Sequence, residues 1–241
     1  MTLDELMEDL LSDDSYLTGR RRYPRSVTTE QAIDMARHFQ GEIDRGTRAR
    51  DEVAKRQGIE IACRRGCYGC CSEMILVREP EALAVVEWLQ RSENAEVLAQ
   101  FVDAYPRWRA AVGDAPDRLV ALLHGGDNAA YAAAHIAQWR TRVLCAFNRD
   151  GACTIYPARP IVCRNAHAVD TSDRCYPDRT DGRPATRLEF KPVEDFVQLS
   201  RRVLQAAHHA LRFRARQEAL CDAVWRLLGN APVTAPAPPT P

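Results

Sequence analysis

Four of the nine cysteines in this chain fall within nine residues, in the stretch C-R-R-G-C-Y-G-C-C at positions 63–71. Cys67 and Cys70 are separated by two residues, so one tight turn can direct both thiolates at a single ion or cluster. The two glycines of the stretch permit positive φ angles and let backbone N–H groups approach the sulfurs. Because Cys70 and Cys71 are adjacent, their side chains diverge, and we expect them to serve different metals or different corners of one cluster.

A second group of cysteines lies in the irregular, proline-rich stretch 145–184. Its turn sequence N-R-D-G predicts a small hairpin that brings Cys145 and Cys153 onto neighbouring strands. A short helix with Pro160 in its first turn is expected to carry Cys163. The two groups together give eight predicted metal ligands: Cys63, Cys67, Cys70, Cys71, Cys145, Cys153, Cys163 and Cys175.

Metal binding accounts for this grouping better than the other uses of cysteine. The N-terminal sequence M-T-L-D-E-L-M-E-D-L-L is acidic and lacks the basic start and apolar run of a secretory signal. We therefore expect a cytoplasmic protein whose thiols stay reduced, which disfavours a disulfide framework. Inert buried thiols pack as small hydrophobic side chains, and that reading fits four thiols among glycines and arginines poorly.

The identity and number of the metals stay open at this point. Zinc sites are usually satisfied by four ligands in two short pairs, whereas adjacent cysteines and thiols from two distant segments suit an iron–sulfur cluster or a pair of metals. Four thiolates around Zn²⁺ or a [4Fe–4S]²⁺ core leave a formal charge of about −2. The arginines beside the cysteines are candidates to compensate it: Arg64, Arg65, Arg78, Arg159 and Arg164.

The overall composition limits the partners of this 241-residue chain. Lys plus Arg and Asp plus Glu balance at 33 each, so no global field attracts nucleic acid or anionic lipid. No stretch approaches the roughly 18 apolar residues of a membrane span. We expect neither a nucleic-acid nor a membrane partner, and the sequence leaves a protein or peptide partner open.

The elements that must hold these cysteines are mainly helices. Apolar residues recur with helical period from Thr28 to about Gln57, from Glu79 onward, and over 95–112 and 116–144. A long helix is predicted from Pro192 to about Leu228. The predicted fold is a mainly α, single helical domain around a cysteine-rich irregular metal-binding core with a small β-hairpin.

Three segments are predicted along the chain. Residues 1–26 form an acidic helix and a polar loop, and residues 27–230 form the cysteine-cluster domain. Residues 231–241, A-P-V-T-A-P-A-P-P-T-P, are predicted to be a disordered proline-rich tail because they offer nothing to bury.

Both cysteine segments resemble a known family. The stretch C-R-R-G-C-Y-G-C-C-S-E-M-I-L-V-R-E-P-E-A is similar to the start of the YkgJ-family cysteine-cluster proteins, whose CxxCxxCC domain is described as zinc- or iron-chelating. The later stretch G-A-C-T-I-Y-P-A-R-P-I-V-C-R resembles that family's second hallmark, and the likeness covers about residues 60 to 176. It departs at Cys63 and Cys67, which have three residues between them rather than two.

The resemblance implies a bound zinc or iron centre and leaves the reaction unassigned. Because it extends to the flagellin lysine methylases, it also implies an alternative function, a metal-dependent enzyme that modifies a protein or peptide by methylation or oxidation. Whether the chain is an enzyme stays open.

A rival interpretation comes from the spacing of the first three cysteines. The C-x3-C-x2-C pattern of Cys63, Cys67 and Cys70 is also that of radical S-adenosylmethionine enzymes. Those enzymes place an aromatic residue directly before the last cysteine, whereas Tyr68 lies one position too early. They also need repeated βα units, and this chain offers helices, so the pattern lacks its expected context.

Histidine adds few candidates. A cysteine nucleophile needs a base, and Cys163 with His167 is the nearest pair along the chain. His167 is alternatively a metal ligand or a hydrogen-bond donor to one, and no carboxylate visibly orients it. The remaining positions are interpreted as follows: His124 and His135 as bases or packed helix residues, His208 and His209 as the polar side of the last helix, and Cys221 as a packing residue.

Overall fold

The computed structural model describes Glu5 and residues 27–63, 66–169, 171–176, 178–179, 191–211 and 217–229. Over these residues the chain is mainly helical, as predicted, with small two-stranded sheets. The predicted N-terminal helix and loop and the predicted proline-rich tail lie outside the described residues, Glu5 excepted.

Eight helices and four short strands make up the described part. The helices are α1 Thr29–Arg56, α2 Glu79–Leu89, α3 Ala95–Val112, α4 Ala115–Gly125, α5 Asn128–Arg140, α6 Ile161–Asn165, α7 Lys191–Ala210 and α8 Leu220–Leu227. The strands are β1 Leu76–Val77, β2 Asn148–Arg149, β3 Ala152–Cys153 and β4 Glu218–Ala219. β1 pairs antiparallel with β4, and β2 with β3.

Helix α1 begins where its capping signal predicts. The Thr28 hydroxyl accepts a hydrogen bond from the Gln31 backbone N–H at 3.2 Å, and the Thr28 N–H donates to the Gln31 side chain at 3.0 Å. This reciprocal pair satisfies two donors that a helix N-terminus leaves without intrahelical partners. The predicted helix is confirmed and ends at Arg56.

Helix α2 also begins as predicted, at Glu79 with Pro80 in its first turn. The Glu81 carboxylate accepts a hydrogen bond from the Arg78 N–H at 3.3 Å. The Glu79 N–H donates to Nδ1 of His208 at 3.2 Å. His208 is only 2% exposed, so its predicted place on the polar side of the last helix is wrong; it caps a neighbouring helix.

The long C-terminal helix predicted from Pro192 to about Leu228 is also wrong. Helix α7 ends at Ala210, and α8 begins at Leu220 after strand β4. β4 pairs with β1 in the register Leu76 to Ala219 and Val77 to Glu218. Apolar periodicity cannot separate one long helix from two shorter helices that are buried on similar faces.

The buried side chains form two cores that share α2. The first core joins α2, α3 and α8, and in it Phe101 stacks on Phe147 with ring centroids 4.3 Å apart. The second core joins α1 and α7. Val85 of α2 belongs to the first core and Ala84 to the second. The second cysteine segment contributes to both, because Phe147 lies in the first core and Ile161 in the second.

Candidate metal centre

Cysteines from both segments line one cavity of about 470 Å³. A volume of this size falls in the range of about 300–1,000 Å³ typical of small-ligand and cofactor sites. The first segment and the second segment contribute three thiols each: Cys67, Cys70, Cys71, Cys145, Cys153 and Cys163. The fold therefore merges the two groups that are distant in sequence.

The first segment is held by hydrogen bonds to α5 and to the second segment. Residues Gly69–Ser72 form a single 3₁₀ turn, closed by a 3.0 Å bond from the Ser72 hydroxyl to the Gly69 carbonyl. The Gln138 side chain of α5 donates to the Ser72 carbonyl at 3.0 Å. The Cys145 N–H donates to the Cys71 carbonyl at 2.8 Å and joins the two segments directly.

Gly69 is required by a close approach of the chain. A Cβ atom at this position would lie 2.5 Å from Cβ of Cys175 and 3.1 Å from its carbonyl oxygen. Because glycine has no side chain, the turn Ser172–Cys175 can pack directly against the first cysteine segment. In the sequence, the glycine that follows Tyr68 predicts a tight turn. The contact with Cys175 depends on the tertiary fold and has no local sequence signal.

The predicted hairpin is present, with strands of only two residues. Asp150 and Gly151 connect them with φ angles of 52° and 79°, as a two-residue type I′ turn requires. Cys153 pairs with Asn148. The prediction that Cys145 lies on the strand beside Cys153 is wrong, because Cys145 precedes β2 and bonds to the first segment.

Cys163 is positioned by the start of helix α6. Pro160 is the N-cap and immediately precedes the helix. The Ile161 N–H donates to the buried Glu81 carboxyl at 3.2 Å, and the Ile161 side chain packs in the second core. These two anchors fix the helix that carries Cys163, which confirms the predicted short helix.

Cys63 and Cys175 are not among the residues that line the cavity. The Cys63 sulfur accepts a hydrogen bond from the Ala168 N–H at 3.1 Å. The Cys175 carbonyl accepts one from the Trp139 indole at 3.3 Å. Burial, together with the thiols of Cys63 and Cys67, raises the pKa of Cys175 to about 12. Both residues therefore lie beside the six cavity thiols.

Crowding and burial raise the pKa of three of the six cavity thiols, those of Cys70, Cys153 and Cys163. Burial raises the pKa of Cys163 well above the ordinary thiol value, and burial with the nearby Cys145 raises that of Cys153 to about 11. The hydrogen bond with Cys71, followed by burial, raises the pKa of Cys70. Thiolates in this cavity need a compensating cation, and a metal ion deprotonates a coordinating thiol outright.

Cys145 differs from Cys70, Cys153 and Cys163 in the direction of its pKa shift. Its sulfur lies 3.6 Å from that of Cys221, and the hydrogen bond between them lowers the pKa of Cys145. Cys221 is 2% exposed and packs in the first core. Its predicted packing role is thus confirmed. Its contact with a cavity cysteine has no signal in the sequence, because the two residues are 76 positions apart.

The structure separates the five arginines that were candidates for charge compensation. Arg159 lines the cavity, with its guanidinium 3.8 Å from the Tyr156 ring centroid. Arg164 pairs instead with Asp44. Arg78 donates to Gln205 at 2.7 Å. The other two, Arg64 and Arg65, lie outside the described residues.

Two buried donors on the cavity wall have no hydrogen-bond partner in the described part of the chain. They are Nδ2 of Asn148 and Nε of Arg159. Buried polar groups are nearly always paired in native structures. An acceptor in the cavity, such as a thiolate or an inorganic sulfide, would satisfy them, since such sulfurs commonly accept hydrogen bonds.

His167 belongs to a polar network beside α1. Its Nδ1 lies 3.2 Å from the Asp51 carboxylate, which also accepts from Nε of Arg50 at 3.2 Å. The expectation that no carboxylate orients this histidine is wrong. His167 does not line the cavity with Cys163, and His135 lies elsewhere, with Nε2 3.4 Å from the Met74 carbonyl oxygen.

Within the described residues, no group of three or more His, Cys, Asp or Glu side chains is arranged to hold a metal ion. Nor does any described helix have the length and apolar content needed to cross a membrane. Comparison with protein-family models, curated proteins and solved structures found no match. The resemblance of the two cysteine segments to the YkgJ family therefore stays a prediction.

Proposed function

We propose that this protein holds a cysteine-ligated centre of more than one metal atom, an iron–sulfur cluster or a pair of zinc ions, in the cysteine-lined cavity. The observation that supports it is the meeting of six thiols from two distant segments around a single space of about 470 Å³. Chance packing of small hydrophobic thiols gives no reason for such convergence.

The residues of the cavity are of the types that such a centre needs. Six thiols exceed the four ligands that one tetrahedral zinc ion takes. Thiolates are also the usual ligands of iron–sulfur clusters. The Arg159 guanidinium offers positive charge, and Asn148 and Arg159 offer unpartnered N–H donors. An iron–sulfur cluster bound here would supply electron transfer, and zinc would supply cross-linking of the fold.

The test is the metal and acid-labile sulfide content of protein purified without oxygen. We expect stoichiometric metal in the wild type and at least a twofold loss in Cys70→Ser and Cys163→Ser. Val203→Ala is the control for loss of packing alone, because Val203 is buried in the second core and does not line the cavity. Equal metal content in all four proteins, or no metal in the wild type, would refute the proposal.

A further inference from the structure

A second cavity, of about 460 Å³, lies next to the cysteine-lined one. The residue Ile75 lines both spaces, so the segment after the first cysteine motif forms a shared wall. This second cavity is lined by both polar and apolar residues, contributed mainly by that segment and by α5, α6 and α7. Cavities with apolar walls and a few convergent polar groups are the usual form of small-molecule sites.

Two guanidinium groups supply the positive charge of this cavity. Arg201 of α7 is exposed and makes no hydrogen bond or ion pair with any described residue. Arg78 is half-buried, and burial, together with the charge of Arg201, lowers its pKa. The carboxyl of Glu81 accepts the backbone N–H groups of Arg78 and Ile161. It forms no ion pair with Arg201, although the charge of Arg201 acts against the burial that raises the pKa of Glu81. The Arg201 guanidinium is therefore available to an anion.

The aromatic and apolar residues that line the cavity favour an organic anion over an inorganic one. Tyr131 and His135 of α5 stack with ring centroids 5.8 Å apart, and both are half-buried. Glu73 also lines the cavity and, after burial, raises the pKa of Tyr131. Ile75 and Leu204 provide apolar wall. A bare inorganic anion would leave this apolar surface in contact with water, whereas an organic one covers it.

We propose that this cavity binds a small organic carboxylate, with Arg201 pairing the carboxylate and the apolar wall holding the hydrocarbon part. A guanidinium presents its N–H groups in a fork that matches a carboxylate in two parallel hydrogen bonds. The site goes beyond the proposed metal centre and does not require it, because none of the polar groups that carry it is a cysteine.

Hexanoate is the probe, titrated by ligand-observed NMR into the full chain, with 1-hexanol and inorganic phosphate as comparison ligands. We expect hexanoate to bind at least tenfold more tightly than either. We expect Arg201→Gln to weaken hexanoate binding about tenfold, since a charge-assisted pair is lost. Arg202→Gln is the matched control: Arg202 is the next residue on α7, is exposed, and does not line the cavity.

Three outcomes would overturn the proposal. They are no saturable binding of hexanoate, equal binding of hexanoate and 1-hexanol or phosphate, and equal loss of binding in the two arginine variants. Metal content, measured on the same samples, reports separately on the cysteine-lined cavity, so the two proposals fail independently.

Discussion

His208 links two helices through one imidazole nitrogen. Its Nδ1 accepts the Glu79 N–H at the start of α2, while its backbone lies in α7. We expect His208→Ala to lower the free energy of unfolding by about 1–3 kcal/mol, because it leaves a buried N–H without an acceptor. Urea unfolding measures this. His209→Ala is the control, since that half-buried neighbour contacts Gln205 within its own helix; an equal loss in both would argue against the cap.

His167 predicts a specific pH dependence of stability. Burial, and next the charge of Arg50, lowers its pKa below the ordinary 6.5, although Asp51 acts in the opposite direction. The unfolded chain thus binds more protons than the folded one between the folded pKa and 6.5, and stability falls as the pH drops through that window. We expect His167→Gln to remove this part of the dependence.

The measurement is the urea midpoint of the wild type and His167→Gln from pH 7.5 to pH 5. Other groups titrate in both proteins, so the difference between the two curves isolates the histidine. A difference that stays constant with pH would show that His167 does not carry the effect.

For single residues, the sequence predicts which side chains are candidate ligands better than it predicts which contacts those side chains make. The spacing of Cys67 and Cys70 was sufficient to single out the first segment. The contact between Cys145 and Cys221 and the unpartnered amide of Asn148 arise only where distant segments meet. The spacing of neighbouring residues along the chain does not predict such long-range contacts, so they could not be inferred from the sequence.

Among the elements, those with explicit start or turn signals were predicted correctly. The Thr28 cap and the Glu79-Pro80 start determine their helices locally, and the Asp150-Gly151 turn determines the hairpin. The C-terminal helix failed because the break between α7 and α8 is stabilised by pairing of β4 with β1, which lies more than 140 residues earlier.

Gly151 tests how strongly the hairpin depends on its turn. Its φ angle is 79°, and an added Cβ would lie 3.1 Å from Cδ1 of Tyr68. We expect Gly151→Ala to lower the free energy of unfolding by about 1–2 kcal/mol from the backbone conformation, with a further loss from the Tyr68 contact. Gly58→Ala is the matched control, because Gly58 has φ 72° and nothing within 4 Å of the added Cβ.

Urea unfolding of both alanine variants separates the two contributions. The backbone term is common to them, so the excess loss in Gly151→Ala reports the contact between the hairpin and the first cysteine segment. An equal loss of unfolding free energy in the two variants would mean that the hairpin accommodates the added methyl group without disturbing Tyr68.

For the whole molecule, the two cores are connected through α2 and through the second cysteine segment. Phe147 places that segment in the first core and Ile161 in the second. Removal of the proposed metal centre is expected to destabilise both cores together, because site assembly is coupled to folding. We expect an anaerobically chelated sample to unfold in one transition at a lower temperature than the loaded one.

Two probes check this expectation. Far-UV circular dichroism reports all the helices, whereas tryptophan fluorescence reports mainly the first core, where Trp108 and Trp225 lie. Coincident transitions, both shifted on chelation, are the expected result. A shift seen in fluorescence alone would show that the centre stabilises only one core.

The pairing of β1 with β4 sets an order of events during synthesis. Leu220, which follows β4, donates its N–H to the Ile75 carbonyl and completes the cavity wall, yet Cys221 follows Cys71 by 150 residues. At about 5–20 residues per second, the ribosome needs roughly 8–30 seconds to make that interval. For that time Cys67, Cys70 and Cys71 have been made but the residue that completes their cavity has not, so these thiols are open to any metal or oxidant around the nascent chain.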